Sequence, residues 1–171
     1  QIDLVSNYIY DLTNYRISNP EDIAELKSIN GMPFILEIDT LSGQAFCVAF
    51  KTVPGSLTIR GDNHYNKRGN IDEIRTLGNI EKIKGNLGLS FTEIENLGNL
   101  NLIEGDLWFG GSEEFRENGF RINNLTPLIK VKGNVSIRGN SLQSLSTLEY
   151  VGGNLSLRMC DVKDLGNLKY V

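Results

Sequence analysis

Cysteine is scarce: the 171 residues include two, Cys47 and Cys160. Small secreted domains stapled by disulfides carry many more. In a repeating fold these two stand several units apart, beyond the roughly 7 Å Cα separation that a bridge tolerates. Two free thiols and a reducing compartment are therefore expected. Histidine is scarcer still, with His64 alone, so no second imidazole completes a zinc site. No Ser or Cys sits in a nucleophile-elbow motif. No apolar run approaches the roughly eighteen residues of a membrane span, and the residues after Gln1 lack a signal-peptide pattern. Positive charge is in deficit too, 17 Lys and Arg against 21 Asp and Glu, a net charge of -4. That balance excludes a general nucleic-acid binder, which needs a basic face to neutralise several phosphates. It leaves room for a local basic strip.

What the chain has instead is glycine, 18 residues of it, placed in a repeat. Gly55, Gly85, Gly105, Gly133 and Gly153 fall at intervals of 30, 20, 28 and 20. A twenty-residue unit thus recurs, with about ten and eight residues inserted twice. Such a period is the signature of stacked repeats. Within a unit the apolar residues keep fixed offsets, as in Leu87, Leu89, Ile94, Leu97, Leu100 and Ile103. The Leu-x-Leu step alternates with period two and reads as a short strand. The Ile-x-x-Leu-x-x-Leu stretch reads as an irregular or 3₁₀-like return, with Leu-Gly-Asn-Leu corners at Gly78, Gly98 and Gly166. One unit alone buries too little apolar surface to offset the entropy of ordering twenty residues, so units must stack, each completing its neighbour's burial. The expectation is a mainly β chain, a β-solenoid of roughly twenty-residue leucine-rich coils with one parallel sheet. Asn86, Asp106, Asn134 and Asn154 enter successive strands and form an expected ladder of side chains bonded to backbone. The repeat thereby generates apparent glycosylation sequons at Asn134 and Asn154; a third falls at Asn124.

Val151-Gly-Gly-Asn-Leu-Ser-Leu, Ile83-Lys-Gly-Asn-Leu-Gly-Leu and Ile103-Glu-Gly-Asp-Leu-Trp-Phe resemble leucine-rich repeats of the receptor L-domain kind. The resemblance covers about residues 53–171 and implies a right-handed β-helix used for binding. Receptor domains of that kind are usually disulfide-rich, unlike this chain.

Residues 1–52 do not follow the repeat. Asn19-Pro20-Glu21-Asp22 is a helix start and Gly31 a stop, predicting a short helix over 20–30. The stretch 33–51 alternates around Ser42-Gly43 and predicts a β-hairpin. Together they make a small α+β N-terminal cap, or else a separate docking element. At the other end Lys169-Tyr170-Val171 repeats Glu149-Tyr150-Val151, which predicts an open C-terminal coil covered by another chain or by continuing sequence.

Two surfaces are candidates for function. The outward strand positions carry Thr58, Gly88, Trp108, Ser136 and Ser156, then Arg60, Ser90, Gly110, Arg138 and Arg158. Trp108 either packs under an insertion loop or anchors a partner; the arginines either flank that anchor, a composition common in interface hot spots, or only solubilise the face. The insertions near 62–70 and 110–119 are the second surface. The first holds His64 and Tyr65 and is slightly basic; the second holds Phe115 and Arg116 and is acidic. They either clasp each other or bind a partner.

Asp106 beside Arg60 or Arg138 is the nearest approach to the carboxylate and basic cluster of a polysaccharide-cleaving β-helix. It is a thin basis for catalysis. No catalytic residue, metal or cofactor is assigned. The reading is a non-enzymatic macromolecule-binding or scaffolding module with a protein partner. The alternative is a structural subunit of a larger assembly such as a viral particle, and a carbohydrate-binding or carbohydrate-cleaving β-helix ranks third. The cytoplasm, or a particle assembled there, is the expected location, with secretion left open.

Overall fold

Alternation over three residues is enough to make a strand when an identical neighbour lies beside it. The computed structural model describes residues 9–12, 35–39, 51–53, 55–60, 75–90, 94–110, 121–139 and 141–171. In it the Leu-x-Leu steps form β4 (Ser56–Arg60), β6 (Leu87–Ser90), β8 (Leu107–Gly110), β10 (Val135–Arg138) and β12 (Leu155–Arg158). All pair in parallel and in the register set by the repeat: Leu57, Leu87, Leu107, Val135 and Leu155 align. In β6, β8 and β10 the first and third residues are at most 3 % exposed.

The expectation of one sheet is corrected to two. The residues before the repeat glycines Gly55, Gly85, Gly105, Gly133 and Gly153 form two-residue strands, β3 (Thr52–Val53), β5 (Lys82–Ile83), β7 (Leu102–Ile103), β9 (Lys130–Val131) and β11 (Tyr150–Val151). They assemble into a second parallel sheet in the order β11-β9-β7-β5-β3. Sequence counted Ile83, Ile103, Val131 and Val151 only as core positions, because two residues are too few to show a period. Each is 0 % exposed, while its strand partner Lys82, Leu102, Lys130 or Tyr150 is half-buried.

Between the sheets the chain returns through a β-turn. Ile80, Leu100, Leu128, Leu148 and Leu168 each donate N–H to the carbonyl three residues earlier, at 2.8–3.2 Å. The residue opening each corner locks the turn: Gly98 N donates to Asn96 Oδ1 (2.9 Å), Thr126 N to Asn124 Oδ1 (3.0 Å) and Gly166 N to Asp164 Oδ1 (2.8 Å). These are Asx turns, in which a side chain mimics a backbone turn partner. Gly78, Gly98 and Gly166 have φ of 55°, 59° and 58°, the left-handed region glycine enters without a Cβ penalty. No helix occurs among the described residues.

The N-terminal region also differs from expectation. β1 (Ile9–Leu12) and β2 (Ile35–Asp39) extend the larger sheet, in the order β1-β2-β4-β6-β8-β10-β12. Leu36 and Ile38 stand in register with Leu57 and Ile59. With parallel neighbours on both sides, β2 has no free edge for the antiparallel hairpin predicted over 33–51. Residues 40–50 and the predicted helix over 20–30 lie outside the described residues.

The core runs as a column of apolar side chains from Val53 to Val151, aliphatic except for Phe109, its largest member. In the last unit the same positions are less covered: Leu155, Leu157, Val162 and Leu168 are partly buried, and Leu165 is 56 % exposed.

Candidate binding surfaces

The outer face of the larger sheet places Thr58, Gly88, Trp108, Ser136 and Ser156 in one row across β4 to β12. Trp108 is flanked in register by Gly88 and Ser136, neither tall enough to wall in an indole. The ring leans along its own strand: a Cβ built on Gly110 would lie 2.8 Å from its Cζ2 and 3.2 Å from its Cε2. Trp108 is thus laid across Gly110 and 45 % exposed. Gly110 makes room for this pose.

The second row, Arg60, Ser90, Gly110, Arg138 and Arg158, is unevenly exposed from Ser90 onward. Ser90 is 4 % exposed and Gly110 is buried, the latter beneath the indole. Arg138 and Arg158 are register neighbours on β10 and β12, with Arg158 exposed and Arg138 half-buried. Arg138 directs Nη2 at Met159 Sδ, 3.8 Å away. Arg60 is placed at the end of β4, two strands from Gly110 in the same row. The roots of the two insertions are therefore about 10 Å apart at one strand spacing per unit. His64, Tyr65, Phe115 and Arg116 lie outside the described residues, as does the question of a clasp between the insertions.

Met159, which the sequence did not single out, follows β12 at φ 56° and is 47 % exposed; a positive φ is not written in residue identity.

The expected ladder is present. Asn86 N donates to Ser56 Oγ (2.9 Å), Asp106 N to Asn86 Oδ1 (2.7 Å), Asn134 N to Asp106 Oδ1 (2.7 Å) and Asn154 N to Asn134 Oδ1 (2.8 Å). Asp106 Oδ1 also accepts from Asn134 Nδ2 at 3.3 Å, so the one carboxylate considered for catalysis is a rung of the ladder. Cys160 is a free thiol whose pKa is raised by burial; Cys47 lies outside the described residues. Among the described residues no cluster of three or more His, Cys, Asp or Glu is placed to hold a metal, and no helix is long and apolar enough to cross a membrane. The chain matches no family model, no curated protein and no solved structure.

Proposed function

We propose that the chain is a leucine-rich β-solenoid, similar in kind to receptor L domains, acting as a non-enzymatic binding or scaffolding module. It offers the outer face of the seven-stranded sheet to a protein partner. The observation that carries this reading is the pose of Trp108, half-exposed, laid across Gly110 and bordered by small residues. A large rigid aromatic surrounded by low side chains can bury most of its area against a partner at little cost in conformational entropy, and Trp with Arg dominates interface hot spots. Arg138, Arg158 and Met159 form the border of the same face.

Trp108 is the sole tryptophan, so its emission reports on this face directly. Quantitative affinity capture with the wild-type chain and Trp108→Ala, matched by circular dichroism, should show a partner enriched at least tenfold by the wild type alone, with a blue shift of tryptophan emission on addition of that partner. Equal capture by both chains rejects the reading.

A further inference from the structure

The smaller sheet has an outer face that the Trp108 reading does not use. Thr52, Lys82, Leu102, Lys130, Tyr150 and Tyr170 occupy one register row across its strands and the bridge beyond them. Two residues further along the chain, beside that row, come Lys84, Glu104 and Lys132. Four lysines thus surround one glutamate. Lys82 Nζ meets Glu104 Oε1 at 2.7 Å and Lys132 Nζ meets it at 3.6 Å, leaving the strip a net charge of +3 on a chain whose total is -4. On one side the next charges outward are paired, Lys51 with Glu81 at 3.8 Å and Lys169 with Glu149 at 3.1 Å, and on the other comes the Asp106 carboxylate of the ladder.

Shape narrows the ligand. The strip is two to three residues wide, about 7 Å along each strand, and it advances about 4.8 Å per strand. The strands carrying Lys82 and Lys130 are two apart, about 10 Å between backbones, while Lys82 and Lys132 lean together onto Glu104. A narrow row of point charges matches one extended polyanion lying across the strands. Single-stranded nucleic acid would also require open aromatic platforms for its bases. Tyr150 does not supply one. Lys130 Nζ sits 4.5 Å from its ring centroid, and from the neighbouring unit on the other side Tyr170 stacks at 4.8 Å and 6°. The ring beside the lysines is thus covered on both faces, and Tyr170, 55 % exposed, lies one unit beyond it.

We propose that the Lys82, Lys84, Lys130 and Lys132 strip binds a linear anionic polysaccharide through its sulfate or carboxylate groups. This site stands independently of the Trp108 face. Titration calorimetry on the full chain at about 100 mM salt should use heparin, polygalacturonate, poly(U) and polyglutamate as the probes. At least one polysaccharide should bind, weakening steeply with added salt as counterions are released, and Lys84→Gln/Lys130→Gln should lose at least tenfold in affinity with an unchanged circular dichroism spectrum. Arg75→Gln/Lys163→Gln, which removes the same charge from elsewhere on the surface, should keep wild-type affinity. The proposal is overturned if neither polysaccharide binds, if poly(U) or polyglutamate binds more tightly than both, or if the two double variants lose affinity equally.

Discussion

Glycine and asparagine recur side by side because each solves the other's problem. A Cβ added to Gly105 would fall on Asn86 Oδ1, one added to Gly133 on Asp106 Oδ1, and one added to Gly153 on Asn134 Oδ1. Glycine clears the space that the previous unit's side-chain oxygen fills, and that oxygen accepts the following N–H. Gly105→Ala should therefore destabilise by about 1–3 kcal/mol, as overpacking in a filled site does, measurable as a lower urea midpoint at unchanged slope. Glu104 gives a pH signature at the same scale. The Lys82 hydrogen bond, opposed by desolvation and reinforced by Lys132, holds its carboxyl below the usual carboxylate range. A depressed folded-state value contributes stability that is fully present above about pH 4.3, where an ordinary glutamate ionises, and lost as pH falls through the folded value. Glu104→Gln should lower the urea midpoint near neutrality by a small amount, since exposed pairs contribute little, and the difference should vanish in strong acid. A constant difference across pH would refute the ion-pair account.

Turns and strands differ in how plainly they are written. Two corners lack glycine, and that of the unit holding Leu145 is the informative one: Ser146 takes φ 47° where Gly78, Gly98 and Gly166 serve three other units, Thr126 standing in the fourth. Ser146 N still donates to Ser144 Oγ at 3.0 Å, a bond that glycine would keep. Relief of left-handed strain, about 1–2 kcal/mol, outweighs the extra unfolded-state freedom of glycine at about 0.5–1 kcal/mol. Ser146→Gly should raise stability by up to about 1 kcal/mol, seen as a higher thermal midpoint; a lower midpoint would show that the serine hydroxyl contacts matter more. The larger sheet was legible because Leu87 and Leu89 or Val135 and Ile137 alternate around an outward residue. The smaller one was not, since a pair such as Lys130-Val131 has one half-buried and one buried member and no period. β2 was legible as a strand but not its parallel pairing: Leu36 and Ile38 continue the row of Leu57 and Ile59, but no Gly-Asn precedes them.

Across the whole molecule, units contact chiefly their neighbours, so protection should be graded. Amides of β8, enclosed between β6 and β10 over fully covered Leu107 and Phe109, should exchange with deuterium far more slowly than those of β12, whose Leu155 and Leu157 are only partly buried. Uniform protection over both strands would mean one cooperative block. Legibility of the surfaces follows the same division. Trp108 stood out as the one bulky residue in a row of small ones, whereas the lysine strip exists only once the second sheet is known. The ladder itself has an arrow. Every side-chain acceptor on it, from Ser56 Oγ to Asn134 Oδ1, precedes its backbone donor in the chain. During synthesis each completed unit therefore already displays the oxygen that the next one needs, and growth from the ribosome proceeds in the direction in which the template is read.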